Sequence, residues 1–309
     1  MSTFADKIHQ SIQRTGSFLV AGCDPVIEKL PSFIRAEADQ SARSDAEWLE
    51  RVLRRFCEVF ISSVEGRVAG IKPNIAFFEQ YGLPGLTVFS ELCGTIRAKN
   101  IPLIIDAKRG DIGTTATAYS NAFLGKVSVR GRSFCGFEGD ALTINPFLGF
   151  DTLEPFLRDC SERGKGLFVL VQTSNPGAKD LQGLSSEGRT VSDRVADWIN
   201  ERAETLKGAC GWSGLGAVVG ASYPDEARSL RARMPSSFFL IPGVGAQGAN
   251  AKDSVAGFGV MNGSVGGALV NVSRGLLEGT AESEEQLRQV ISANADTFNS
   301  QLNAALSLT

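Results

Sequence analysis

A chain of 309 residues and 32.9 kDa, with 43% hydrophobic and 21% charged residues, has the length for a large buried core and a composition that excludes a disordered protein. Its 31 basic and 34 acidic residues give a formal charge of −3 with no Lys/Arg block, so nothing points to nucleic acid or an anionic membrane as partner, and an anionic ligand needs a local site. One histidine, His9, and dispersed cysteines at positions 23, 57, 93, 135, 160 and 210 leave almost no material for a histidine-dependent metal site or a serine triad; the cysteines read as reduced thiols.

Residues 1–7 lack an apolar signal core and no apolar run reaches about 18 residues, which favours the cytoplasm. After a helix-like stretch at 4–14, eight short apolar segments recur, at residues 17–22, 69–72, 103–106, 142–145, 167–172, 216–220, 238–242 and 268–272. Between them lie longer stretches with helical periodicity, such as 48–64, 86–99, 114–127, 190–207 and 225–232. Strands alternating with helices predict a parallel sheet, and eight of them predict an α/β (β/α)8 TIM barrel with additional helices and loop insertions, one domain over 1–309. The extra length at 25–47 and 174–189 is polar and reads as loops over the mouth or side of the barrel. Trp48, Trp198 and Trp212 accompany helical stretches and read as core or interface packing. A doubly wound sheet is the rival, but its Gly-x-Gly-x-x-Gly turn is missing: the first strand leads into Gly22-Cys23-Asp24-Pro25.

The chemistry gathers where the third strand ends, in Asp106-Ala107-Lys108-Arg109-Gly110-Asp111-Ile112-Gly113-Thr114-Thr115. Asp106 and Lys108 are two apart and share a face of extended backbone, while Asp111 lies beyond a turn that Gly110 permits. The plain alternative is a solvated strand-to-helix loop with weak surface ion pairs, or an Asp111 that only caps the helix beginning near Gly113.

This segment resembles the Asp-x-Lys-x-x-Asp-Ile-x-x-Thr signature of the orotidine 5'-phosphate decarboxylases, and the resemblance extends over nearly the whole chain. It implies a cofactor-free, metal-free enzyme that removes CO2 from C6 of orotidine 5'-phosphate to give UMP, the last step of de novo UMP synthesis. Lys108 would be the cation that meets the developing carbanion and the proton donor to C6, with Asp106 beside the substrate carboxylate. Lys72, in Ile71-Lys72-Pro73-Asn74, resembles the outer lysine of an alternating Lys-Asp-Lys-Asp network whose last member, Asp111, enters from the other subunit of a homodimer. Asp24 and Thr115 match ribose-binding positions, and Ser174 matches the serine that recognises the pyrimidine amide edge. Pro242 and Gln247, in the turn after the seventh strand, and Arg274, after the eighth, fall where such a barrel holds phosphate. Cys23 and Val272 stand where an aliphatic and a small polar residue are common. The Lys-Pro-Asn and Asn-x-Ser-Arg-Gly segments look like the longer bacterial branch.

Two other readings use the same residues. Related barrels act on sugar phosphates, usually with a metal, but need no ammonium at the position of Lys108. A non-catalytic nucleotide sensor would keep the phosphate loops while the charged tetrad eroded, and here the tetrad is complete.

Overall fold

Alternation along the strands sorts the apolar side chains into two cores. The computed structural model describes residues 2–243 and 251–308. Its main sheet comprises β1 (Leu19–Cys23), β2 (Gly70–Pro73), β3 (Ile104–Arg109), β4 (Ala141–Ile144), β5 (Gly166–Gln172), β6 (Ser213–Val219), β7 (Ser237–Ile241) and β8 (Ala268–Val272). They pair in parallel in the order β2-β1-β8-β7-β6-β5-β4-β3. The sheet comes round on itself where β2 meets β3, through isolated bridges between Ile71 and Leu103 and between Asn74 and Asp106. The expected α/β barrel is therefore present, nearly closed.

Side chains pointing inward, among them Val20, Ile104, Phe168, Phe238 and Leu269, fill the barrel. The N-terminal helix Phe4–Thr15 plugs its lower end: Thr3 caps it by accepting from the Asp6 N–H, and Phe4, Ala5, Ile8 and Ile12 recur on one face. The Phe4 ring stands edge-on to Phe168 with centroids 5.8 Å apart. The alternate residues, such as Leu19, Ala21, Ile71, Ile105 and Leu142, point outward into a larger core beneath the helices. Helix Asp45–Val64 supplies Val52, Leu53, Phe56, Val59 and Phe60 to it, each buried side chain worth roughly 1.5–3 kcal/mol.

Three segments differ from expectation. Residues 25–47 are largely helical: a 3-10 turn, Ile27–Lys29, precedes helix Ser32–Ser41, and helix Asp45–Val64 starts early because Ser44 accepts from the Glu47 N–H. The helix expected over 114–127 is Gly113–Phe123, followed by an antiparallel hairpin of Val127–Val129 and Arg132–Phe134. Its two-residue turn places Arg130 at φ 52° and Gly131 at φ 73°, the left-handed pair that joins strands tightly. A long C-terminal helix, Glu284–Leu306, is capped by Ser283 and buries Leu287, Ile291 and Ala295. No described helix is long and apolar enough to cross a membrane.

Candidate active site

At the C-terminal ends of the strands the inward positions change character. Lys72, Asp106, Thr143 and Asn271, on β2, β3, β4 and β8, form a polar arc; Leu170, Val218 and Leu240, on β5 to β7, form an apolar one. Together they line a cavity of about 610 Å³. The polar arc is contiguous because β8, β1, β2, β3 and β4 follow one another round the barrel, with Gly22 as the β1 member.

Asp106 is the hub. Lys72 Nζ donates to its Oδ2 at 2.7 Å, and Lys108 Nζ donates to Oδ1 at 2.5 Å. The Lys72 and Asp106 side chains are only 5% and 9% exposed, whereas that of Lys108 is 47% exposed, so the second ammonium faces the cavity. Burial alone would raise the Asp106 carboxyl, but the charges of Lys72 and Lys108, with their hydrogen bonds, outweigh it and hold it well below the usual carboxylate range. For Lys72, burial pulls the ammonium down, while the charge of Asp106 and then that of Asp24 more than restore it. A cation–anion–cation row is thus kept ionised in a site walled on one side by aliphatic carbons.

Asp24 follows β1 and lines the same cavity; its Oδ1 is buried with no hydrogen-bond partner among the described residues, as is Oδ1 of Asn271. Two orphaned acceptors at a cavity wall call for donors from a ligand. Ser174 lines the cavity after β5, in a turn held by Gln182: the Thr173 N–H donates to Gln182 Oε1 at 2.8 Å, and Gln182 Nε2 donates to Thr173 Oγ1 at 2.9 Å. A Cβ on Gly220 would lie 2.9–3.0 Å from Ser174, so the end of β6 must be glycine for that turn to close. Pro242 and Arg274 line the cavity too, and Arg274 makes no side-chain ion pair or hydrogen bond with the described residues. Gln247 lies outside the described residues.

Asp111 and Thr115 do not reach this cavity. Among the described residues Asp111 Oδ1 accepts only the adjacent Ile112 N–H, at 2.8 Å, and the helix Gly113–Phe123 has no side-chain cap, so capping does not account for Asp111. Thr143 and Gln182 were not singled out from the sequence. Thr143 could have been found as the polar residue at an inward position of the apolar Ala141–Ile144; Gln182 carried no local signal. Among the described residues, no group of three or more His, Cys, Asp or Glu side chains is placed to hold a metal ion.

A parallel barrel with lysine and aspartate alternating at its C-terminal mouth, orphaned acceptors on one side and, on another, an arginine unpaired among the described residues is suited to a small polar anion. The family model described as "Orotidine 5'-phosphate decarboxylase / HUMPS family" matches residues 47–290, and the chain belongs to that family. It is 43% identical to the orotidine 5'-phosphate decarboxylase of Rhodopirellula baltica over 89% of this chain and 88% of that one. Against the enzyme of the same name from Caldicellulosiruptor bescii it is 41% identical over 82% of this chain and 83% of that one. Among solved structures, Leishmania donovani OMP decarboxylase superposes with a TM-score of 0.73 at 31% identity, covering 99% of this chain and 100% of that one.

Proposed function

We propose that the protein is an orotidine 5'-phosphate decarboxylase, a carboxy-lyase that converts orotidine 5'-phosphate to UMP and CO2. The observation that carries this reading is the row Lys72–Asp106–Lys108, in which a buried carboxylate holds an accessible ammonium at 2.5 Å. When the bond from C6 to the carboxylate breaks, the electron pair stays on C6 in the plane of the ring, where the π system cannot delocalise it. Lys108 supplies a positive charge already oriented toward that position and then a proton from Nζ to C6, leaving a neutral amine that solvent reprotonates. Asp106 would stand beside the departing carboxylate, and the aliphatic arc of Leu170, Val218 and Leu240 keeps the local dielectric low.

In this reading Asp24 accepts from ribose hydroxyls, Ser174 meets the amide edge of the pyrimidine, and Arg274, with Pro242 and Gln247, receives the phosphate. Asp111 and Thr115 serve the neighbouring subunit of a homodimer. Ile112, Phe147 and Leu148, which are 63%, 74% and 51% exposed, lie on the loops that carry Asp111 and Asn145 and suit burial against a partner. The six free cysteines suit the reducing cytoplasm.

The test is turnover of orotidine 5'-phosphate, followed by absorbance and CO2 release, before and after exhaustive treatment with EDTA. Equal rates are expected. Activity lost on chelation and restored by Mg2+, or found only with a pentulose or hexulose phosphate, would establish the sugar-phosphate rival instead.

A further inference from the structure

The third and fourth strands do not match residue for residue. Ile105 pairs with Leu142 and Arg109 with Ile144, so Asp106, Ala107 and Lys108 together face Thr143 alone. Such a bulge removes backbone groups from the ladder, and at Lys108 it turns φ to 47°, the left-handed region that a residue with a Cβ occupies at a cost. Something must hold that segment in place, and the Thr143 hydroxyl does so. Thr143 is 1% exposed. Its Oγ1 accepts from the Ala107 N–H at 3.1 Å and the Lys108 N–H at 3.0 Å, and donates to Asp106 Oδ1 at 2.9 Å. One proton and two lone pairs are all a hydroxyl has, and here all three are engaged by three consecutive residues. The oxygen that receives its proton is the one that Lys108 Nζ reaches at 2.5 Å.

We propose that Thr143 is a positioning residue: it takes the place of a strand partner for the bulge, fixes the left-handed turn at Lys108, and thereby sets where the Lys108 ammonium stands relative to Asp106. Its kinetic consequence rests on the decarboxylase reading; its structural consequence does not. Without the hydroxyl, two amide N–H groups and one carboxylate oxygen lose a partner together, and Lys108 is free to relax toward ordinary extended backbone.

The experiment compares Thr143→Val, which keeps the shape and removes every hydrogen bond, with Thr143→Ser, which keeps them and removes a methyl group. Thr143→Val is expected to lower kcat by about 100-fold, the scale of a displaced catalytic group, while UMP affinity changes less than about 3-fold. Thr143→Ser is expected to stay within about 3-fold of the parent in kcat. A Thr143→Val enzyme with parental kcat, or a Thr143→Ser enzyme as impaired as Thr143→Val, would overturn the proposal, the latter by assigning the effect to packing of the methyl group. If Thr143→Val does not fold, Thr143→Ala is compared with Thr143→Ser against the same criteria.

Hydrogen–deuterium exchange across Ala107 and Lys108 is measured alongside. Faster uptake there in the hydroxyl-less variant is expected, and unchanged uptake would overturn the proposal even if the parent enzyme fails to turn over orotidine 5'-phosphate. Failure of that turnover in the parent would count against the function, not against the role of Thr143 in the bulge.

Discussion

Lys72 Nζ and Asp106 Oδ2 lie 2.7 Å apart with both side chains at least nine-tenths buried, so each favours the charged form of the other. Asp106→Asn removes the carboxylate that pairs with Lys72 and leaves the desolvated ammonium with Asp24 as its remaining counter-charge. A loss of about 3–5 kcal/mol is expected, read as the shift in denaturant midpoint, and the double variant Lys72→Met/Asp106→Asn should recover part of it. The same pair sets a pH dependence. The folded-state pKa of Asp106 is depressed, so its contribution is complete above the unfolded value of about 3.9 and is lost as pH falls through the lower folded value. That of Lys72 is raised, so its contribution is complete below about 10.4 and is lost as pH rises through the higher folded value. Chemical denaturation between about pH 2 and 5 should show the Asp106 contribution disappearing in the parent and absent from the double variant.

Lys108 behaves differently because its side chain is half exposed and its ammonium carries little of the fold. Lys108→Ala should lower kcat by roughly 1,000-fold or more while leaving UMP binding measurable and stability within about 1 kcal/mol of the parent. A purified variant that keeps a large share of parental kcat would remove Lys108 from the reaction.

Gly220 does not line the cavity, yet a methyl group there would press on the backbone and Cβ of Ser174. Gly220→Ala is therefore expected to raise KM for orotidine 5'-phosphate by about 10-fold through displacement of the Ser174 turn. Steady-state kinetics beside a thermal melt separate this effect from unfolding. A parental KM would mean that the turn yields without consequence.

The placement of Asp111 outside its own chain's cavity makes the composite dimer testable by mixing. Lys108→Ala and Asp111→Ala, each expected to be inactive alone, are combined under conditions of subunit exchange. In a heterodimer one site would carry both lesions and the other neither, so up to half of the heterodimer sites should regain turnover. Heterodimers demonstrated by mass spectrometry but without activity would place Asp111 in service of its own subunit or of the fold alone.

How much of this was legible in the sequence follows from the range over which each signal acts. The eight strands announced themselves because each is a short apolar run stopped by a turn, and that information is local. Asp106 and Lys108 stand out as charges ending an apolar strand, but that pattern fits a solvated loop equally well, and it is the resemblance of the segment, together with Lys72-Pro73-Asn74, that singles out all three. Residues 25–47 were harder: helix Ser32–Ser41 buries only Ile34 and Ala38, too narrow an apolar face to stand out from a loop. The Val127–Phe134 hairpin has exposed strands, so only its Arg130-Gly131 turn marks it, and the C-terminal helix lies beyond the last strand, where only Ser283 and an acidic first turn mark its start. Thr143 could not be tied to Lys108 from sequence, because its partners follow from a register shift between two strands separated by more than thirty residues.

The barrel's weakest lateral joint has a mechanical consequence. Between β2 and β3 the backbone is fastened, among the described residues, only by the bridges at Ile71–Leu103 and Asn74–Asp106, and the Lys72–Asp106 ion pair spans the gap between them like a rivet. Thermal breathing that parts these strands must also pull apart the Lys72–Asp106 charges, so the softest motion of the wall and the loss of the cavity's charged geometry are one event. A ligand that tightens that row of charges therefore stiffens the wall, and amide exchange at Ile71 and Ile75, whose N–H groups reach across to Pro102 and Asp106, should slow when the cavity fills.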